Sequence, residues 1–162
     1  MRDLASMASS VAMLLRTAQQ TVAVAESSAG GLISAALVAV PGASAYYLGG
    51  GVIYTQASRQ GLLRVPDEAL AGMRASTEAY ALLKARTVRE QLGATWGLSE
   101  TGASGPTGNR YGDAAGHACI AVAGPVERVI TVETGKTDRE DNMWTFAKAA
   151  LDLLETCLRE HC

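Results

Sequence analysis

Apolar residues recur at steps of three and four from the start of the chain. Leu4, Ala8, Val11, Leu15 and Ala18 mark one face of an amphipathic helix over residues 3–19. The period then changes. Thr21 to Glu26 is a short valine-rich run, the pattern of a buried strand, and Ala29 to Val40 returns to helix-forming residues. Pro41-Gly42 stops that helix. Tyr46 to Tyr54 reads as a second strand in which glycines 49 to 51 let another backbone come close. Residues 55–63 form a short helix, and Pro66 with Asp67 and Glu68 opens a further helical turn. Ser76 is placed to cap a long helix to Leu92, with Glu78 in its first turn and Gly93 at its end.

Thr95 to Glu100 is a third strand. Residues 101–113 are too rich in glycine and polar side chains for a regular element, and so long a loop inside a domain is functional or disordered. His117 to Ala123 and Val126 to Glu133 are strands turned at Gly124-Pro125. Thr137 with Glu140 has the spacing of a capping box. The last helix carries Trp144, Ala147, Leu151, Leu154 and Leu158 on one apolar stripe, read as core, part of it available as a subunit interface. Helices alternating with strands make the class α/β, a three-layer α/β/α domain with helices on both faces of the sheet. The tight pair around Gly124 must be antiparallel, so the sheet is mixed.

Composition narrows the function. With 162 residues, the chain is expected to be one domain over 1–162, with 48% hydrophobic and 19% charged residues. A formal net charge of −2 and 5% aromatic residues argue against a nucleic-acid partner. The longest apolar run, Leu32 to Val40, is too short for a membrane span. Three cysteines without C-x-x-C spacing and two histidines give no disulfide framework and no metal cluster, so neither metal nor cofactor is expected. Cys119 and Cys157 read as small core residues, and Cys162, His117 and His161 as surface. No export signal is apparent at the N-terminus, and the expected location is the reducing cytoplasm.

Two polar, glycine-rich joints follow strands: Glu26 to Gly31 and Thr101 to Gly112. Ligands in open α/β sheets sit at the carboxyl ends of strands, where a helix's unpaired N–H groups favour an anion. If both strands run the same way, the two joints face one crevice that supplies hydroxyls and N–H groups with little bulk. That suits a phosphorylated small molecule. The plainer alternative is a tight turn whose serines cap the helix.

These residues carry a resemblance. Ala25-Glu26-Ser27-Ser28-Ala29-Gly30-Gly31 resembles the A-E-S-C-T-G-G motif of the C-terminal domain family of the competence/damage-inducible protein CinA. Pro41-Gly42-Ala43-Ser44-Ala45 is similar to its P-G-S-S-A, and Tyr54-Thr55-Gln56-Ala57-Ser58-Arg59 to its Y-S-N-E-A-K. Thr101-Gly102-Ala103-Ser104-Gly105-Pro106 resembles T-G-I-A-G-P, with Gly116 at the family's distance, and Asp138-Arg139 resembles a G-D-R motif. The matches run through most of the chain. The resemblance implies a three-layer α/β domain, often a homo-oligomer, that hydrolyses the carboxamide of nicotinamide mononucleotide, a small-molecule nucleotide. It implies Ser27 as nucleophile, Arg59 at the position of the activating lysine, and Tyr54 as an orienting or proton-relaying group. Gly30 and Gly31 would lend N–H groups to the oxyanion or phosphate. Ser28, Thr101, Gly102, Ser104, Gly105 and Arg139 would complete substrate binding.

Several positions depart from the family pattern. A guanidinium stays protonated, so Arg59 cannot be the general base that a lysine can; it could bind phosphate or an oxyanion as a fixed cation. Ser28 and Ala29 replace Cys and Thr, and Asp113 stands where the family's E-K-P-V-G has lysine. An arginine usual in the first turn of the last helix is missing near Asn142 or Met143. Two expectations follow: an amidohydrolase using another base, or a nucleotide-binding module that has lost hydrolysis.

Overall fold

The computed structural model describes residues 2–161. Its five strands are β1 (Val22–Glu26), β2 (Tyr47–Val52), β3 (Trp96–Ala103), β4 (His117–Ala123) and β5 (Arg128–Glu133), in the order β2-β1-β3-β4-β5. β1 runs parallel to β2 and β3, and β4 is antiparallel to both β3 and β5. The sheet is therefore mixed, as the hairpin at Gly124 requires. The helices are α1 (Leu4–Ala18), α2 (Leu32–Ala39), α3 (Gln56–Gly61), α4 (Glu78–Leu92) and α5 (Arg139–His161), with 3-10 turns at Ala43–Ala45 and Asp67–Leu70. None is long and apolar enough to cross a membrane.

Side-chain alternation along the strands sorts the layers. Val22 and Val24 of β1, Trp96 and Leu98 of β3, and Ala118, Ile120 and Val122 of β4 bury against α1, α2 and α5 in the larger core. The alternate positions are small: Ala23 and Ala25 face Val88 of α4, and Cys119, Ala121 and Ala123 face Ala81 and Ala85. Small residues there let α4 lie against the sheet. Gly97 marks the closest approach, where a methyl group would overlap the Ala85 carbonyl oxygen. Gly50 likewise leaves no room for a methyl beside the Val24 carbonyl of β1, so of glycines 49 to 51 it is Gly50 that lets another backbone come close; Gly49 and Gly51 meet only side chains.

Element ends differ from the periodicity in instructive ways. The helix expected from Ala29 begins at Leu32, because residues 27–31 form a turn with Gly30 and Gly31 at positive φ. Thr77, not Ser76, caps α4 by accepting from the Tyr80 N–H, while Ser76 sits at φ 60° and its N–H donates to Thr101 Oγ1. β3 continues through Thr101, Gly102 and Ala103, so the irregular segment starts only at Ser104. Asp138, rather than Thr137 with Glu140, caps α5 through its side chain, which accepts from the Asp141 N–H. Trp144 lies off the buried stripe of α5, which runs through Phe146, Ala147, Ala150, Leu151, Leu154, Cys157 and Leu158. Its ring instead lies 5.3 Å from the Arg2 guanidinium. Cys119 and Cys157 are buried, His161 is exposed, and Cys162 lies outside the described residues. His117 is not a surface residue; it is 8% exposed.

Gly97→Ala should lower stability by about 1–3 kcal/mol in urea unfolding, because the added methyl pushes α4 off the sheet. Gly61→Ala, with nothing within 4 Å of the new carbon, should be neutral or slightly stabilising.

Candidate functional site

The turn between β1 and α2 is held by two carboxylates, Glu26 and Glu100, both wholly buried. Glu26 closes β1 and turns back under the first turn of α2, accepting from the N–H groups of Gly31 (2.9 Å), Ile33 (3.1 Å) and Ser34 (2.9 Å). These are the orphan donors of a helix start, where negative charge is favoured. Burial pushes the Glu26 carboxyl upward, against the lowering effect of those hydrogen bonds. Glu100 of β3 accepts from the N–H groups of Ser27 and Ala29, both at 2.9 Å, and from the Ser28 hydroxyl. Within the turn the Gly30 N–H donates to the Ser27 carbonyl (2.9 Å). Of the five amides from Ser27 to Gly31, only the Ser28 N–H has no protein acceptor among the described residues.

Clamped in this way, Ser27 opens into a cleft of about 760 Å³ at the carboxyl ends of β1 and β3. Its hydroxyl makes no hydrogen bond to the protein among the described residues. Tyr54, Arg59, Thr101 and Gly102 line the same cleft, so the two glycine-rich joints do share one crevice. The walls are completed by Tyr80 of α4, by Arg74, and by Asn109, Arg110 and Tyr111 of the loop after β3. Among the other expected residues, the Ser28 hydroxyl is turned to Glu100, and the Ser104 hydroxyl donates to the Ser28 carbonyl (3.2 Å). The N–H groups of Gly30 and Gly31 are committed inside the turn, which removes them as donors to an oxyanion or phosphate. Arg139 binds the Gly105 carbonyl and donates to the Tyr54 hydroxyl (2.9 Å). It thereby fixes Tyr54, a residue 58% exposed, at the mouth of the cleft.

Arg59 is not a free cation. It is buried, and its guanidinium donates to the Val65 carbonyl (2.8 Å) and to Asp67 (2.5 Å). The Arg59 hydrogen bond holds the Asp67 carboxyl below its usual range. Arg74 is likewise paired with Asp113, at 2.8 and 3.3 Å. Arg110, by contrast, has no carboxylate partner among the described residues; it donates to the Tyr111 hydroxyl. The Tyr111 ring centre lies 4.8 Å from the Arg74 guanidinium and 5.0 Å from that of Arg110.

Two buried groups escape sequence reasoning. His117 places Nδ1 2.5 Å from Glu133 and Nε2 2.8 Å from the Ser76 carbonyl. Two acceptors at one ring call for an imidazolium. Burial alone would lower this imidazole, but the Glu133 and Ser76 hydrogen bonds and the nearby Asp113 outweigh it and raise it above 6.5. Lys84 is wholly buried on the sheet side of α4, donating to the Glu100 carbonyl at 2.9 Å. Burial takes it from 10.5 down to about 8, partly opposed by Glu100 and Glu26. A signal existed: Lys84 shares the helical stripe of Tyr80, Ala81 and Val88, all buried.

A cleft at the carboxyl ends of parallel strands, opened by a strand–helix turn in a three-layer α/β domain, defines the class. The chain belongs to the CinA C-terminal domain family, whose model matches residues 4–158. A CinA-like protein of Synechococcus sp. is 42% identical over 149 residues, covering 92% of this chain and 36% of its own length. One of Salinibacter ruber is 40% identical over 138 residues, covering 85% and 34%. This chain thus spans about a third of the length of the curated relatives it matches. Among solved structures, a competence-damaged protein (CinA) superfamily protein from Enterobacter cloacae superposes with a TM-score of 0.87 at 28% identity, covering 98% of this chain and 94% of that one. The competence/damage inducible protein CihA from Agrobacterium tumefaciens gives 0.88 at 25% identity, covering 98% and 97%.

The raised His117 contributes stability that is complete below pH 6.5, its unfolded value, and is lost as pH rises through the higher folded value. Urea midpoints measured from pH 5.5 to 8.5 should therefore fall in the wild type relative to His117→Ala.

Proposed function

We propose that the cleft hydrolyses a carboxamide, that of nicotinamide mononucleotide, giving nicotinate mononucleotide and ammonia. The observation that carries this reading is the Ser27 hydroxyl, unpartnered among the described residues and facing a cleft at the end of a parallel strand. Ser27 Oγ attacks the amide carbon. The Ser28 N–H, the one amide of the turn without an acceptor among the described residues, is the donor at hand for the oxygen that gains charge. Tyr54, held by Arg139, orients the amide at the mouth of the cleft. Arg110, with no carboxylate partner among the described residues, is the cation at hand for the phosphate, and Tyr80 and Tyr111 offer ring faces to the nucleotide. Arg59 has a different part: paired with Asp67, it shapes the wall.

That same pairing favours a second reading, a nucleotide-binding module without turnover. Incubation with nicotinamide mononucleotide separates the two. The enzyme reading expects ammonia release that Ser27→Ala abolishes and that Arg110→Ala weakens chiefly through a higher KM. Thermal stabilisation by the nucleotide with no ammonia would establish the binding module instead.

A further inference from the structure

We infer that Lys84 takes the proton from the Ser27 hydroxyl, supplying from α4 the base that Arg59 cannot be. This rests on the reading of Ser27 as a nucleophile. The geometry comes from the sheet. Odd positions of β1 and β3 point toward α4: Ala25 packs in that layer, the Ser99 hydroxyl donates to the Ala81 carbonyl, and Ser27 and Thr101 follow at the strand ends. Lys84 leaves α4 on the same side. Helical side chains lean toward the helix N-terminus, and here that end, with Ser76 and Tyr80, borders the cleft. From that side Lys84 Nζ meets the carbonyl of Glu100 on β3, the residue whose carboxylate holds the Ser27 N–H. The next residue, Thr101, is already cleft floor.

Apart from the face of the Tyr80 ring, nothing else engages that amine among the described residues. Its contact with Glu100 uses one of three donor positions, and no carboxylate forms an ion pair with it among the described residues. A lysine kept wholly buried without an ion pair is costly as a permanent cation and suited to a group that gives up its charge. The titratable groups around it are the carboxylates of Glu26 on β1 and Glu100 on β3, the Tyr80 phenol on its own helix (ring centre 5.3 Å from Nζ), and the Cys119 thiol that β4 brings to the same face. At about 8, close to a tenth of the amine is neutral at pH 7.

In the step, the Ser27 O–H bond breaks and its proton goes to neutral Nζ. The Oγ–C bond forms, and the carbonyl π pair moves to oxygen. The resulting ammonium returns the proton to the amide nitrogen as the C–N bond breaks and ammonia leaves. Nζ, neutral again, then takes a proton from water as its oxygen bonds to the acyl carbon. It returns that proton to Ser27 Oγ as the Oγ–C bond breaks and the carboxylate product leaves.

A probe that needs no substrate tests this directly: diisopropyl fluorophosphate, which phosphorylates an activated serine and releases fluoride. Intact mass should show one adduct, on Ser27. Its rate should rise about tenfold per pH unit below 8 and level above, matching the Lys84 titration followed by ¹³Cε NMR. Lys84→Met, checked for a native circular-dichroism spectrum, should lose that limb and slow by about 10²–10⁴-fold. An unlabelled Ser27, a Lys84→Met variant with the wild-type rate and profile, or a wild-type limb displaced from the Lys84 titration would each overturn the assignment. The last comparison needs only wild-type protein and decides the matter if Lys84→Met does not fold. Lys84-dependent labelling without ammonia from nicotinamide mononucleotide would keep the base and reject that substrate. Ammonia release unchanged in Lys84→Met would do the reverse.

Discussion

Two buried carboxylates hold the turn from Ser27 to Gly31, and the rest of the site depends on that grip. Glu26 comes from the strand that precedes the turn and Glu100 from its neighbour. Between them they satisfy five backbone N–H groups and one hydroxyl. Unpaired, each of those donors would cost about 1–3 kcal/mol in the interior. The pairing leaves few choices for the turn: Ser28 faces inward, and Ser27 alone faces the cleft. A carboxylate that accepts backbone N–H groups in this way fixes conformation more tightly than a mobile side-chain cap would.

The distribution of cations then gives the cleft its character. Arg59 and Arg74 are each bound to an aspartate, so they act as struts in the wall rather than as free charge. Arg110, at the rim beside Tyr111, is the pocket arginine without a carboxylate partner among the described residues. The arginine at the family's lysine position is thus accommodated by Asp67, which neutralises it. A different lysine, buried from the helix side, donates to the strand whose Glu100 holds the Ser27 amide. Position for position the family pattern is broken at Arg59, yet an amine and a hydroxyl still meet the same end of the sheet.

Much of this was legible in the chain. The change of period at Thr21, the Pro41-Gly42 stop and the Gly124-Pro125 hairpin locate elements because local chemistry and tertiary structure agree there. The layered fold followed, and so did the shared crevice of Ser27 and Gly102. Side-chain partners were harder to see, since they come from strands far apart in sequence. Glu100 follows Trp96 and Leu98 on one face of β3, and that alternation does not say which amides its carboxylate serves. Gly30 and Gly31 look like anion donors until Glu26 and the Ser27 carbonyl are seen to occupy them. Ser76 looks like a cap, but the chain needs its N–H for Thr101. His117 reads as surface because both of its acceptors, Glu133 and the Ser76 carbonyl, arrive from other elements.

Amide hydrogen exchange in Glu100→Ala tests the central grip. If Glu100 holds the turn, the Ser27 and Ala29 amides should exchange about 10–100-fold faster than in the wild type. The Gly31, Ile33 and Ser34 amides, held by Glu26, should keep their protection. Equal exchange at all five positions, or unchanged protection at Ser27 and Ala29, would contradict it.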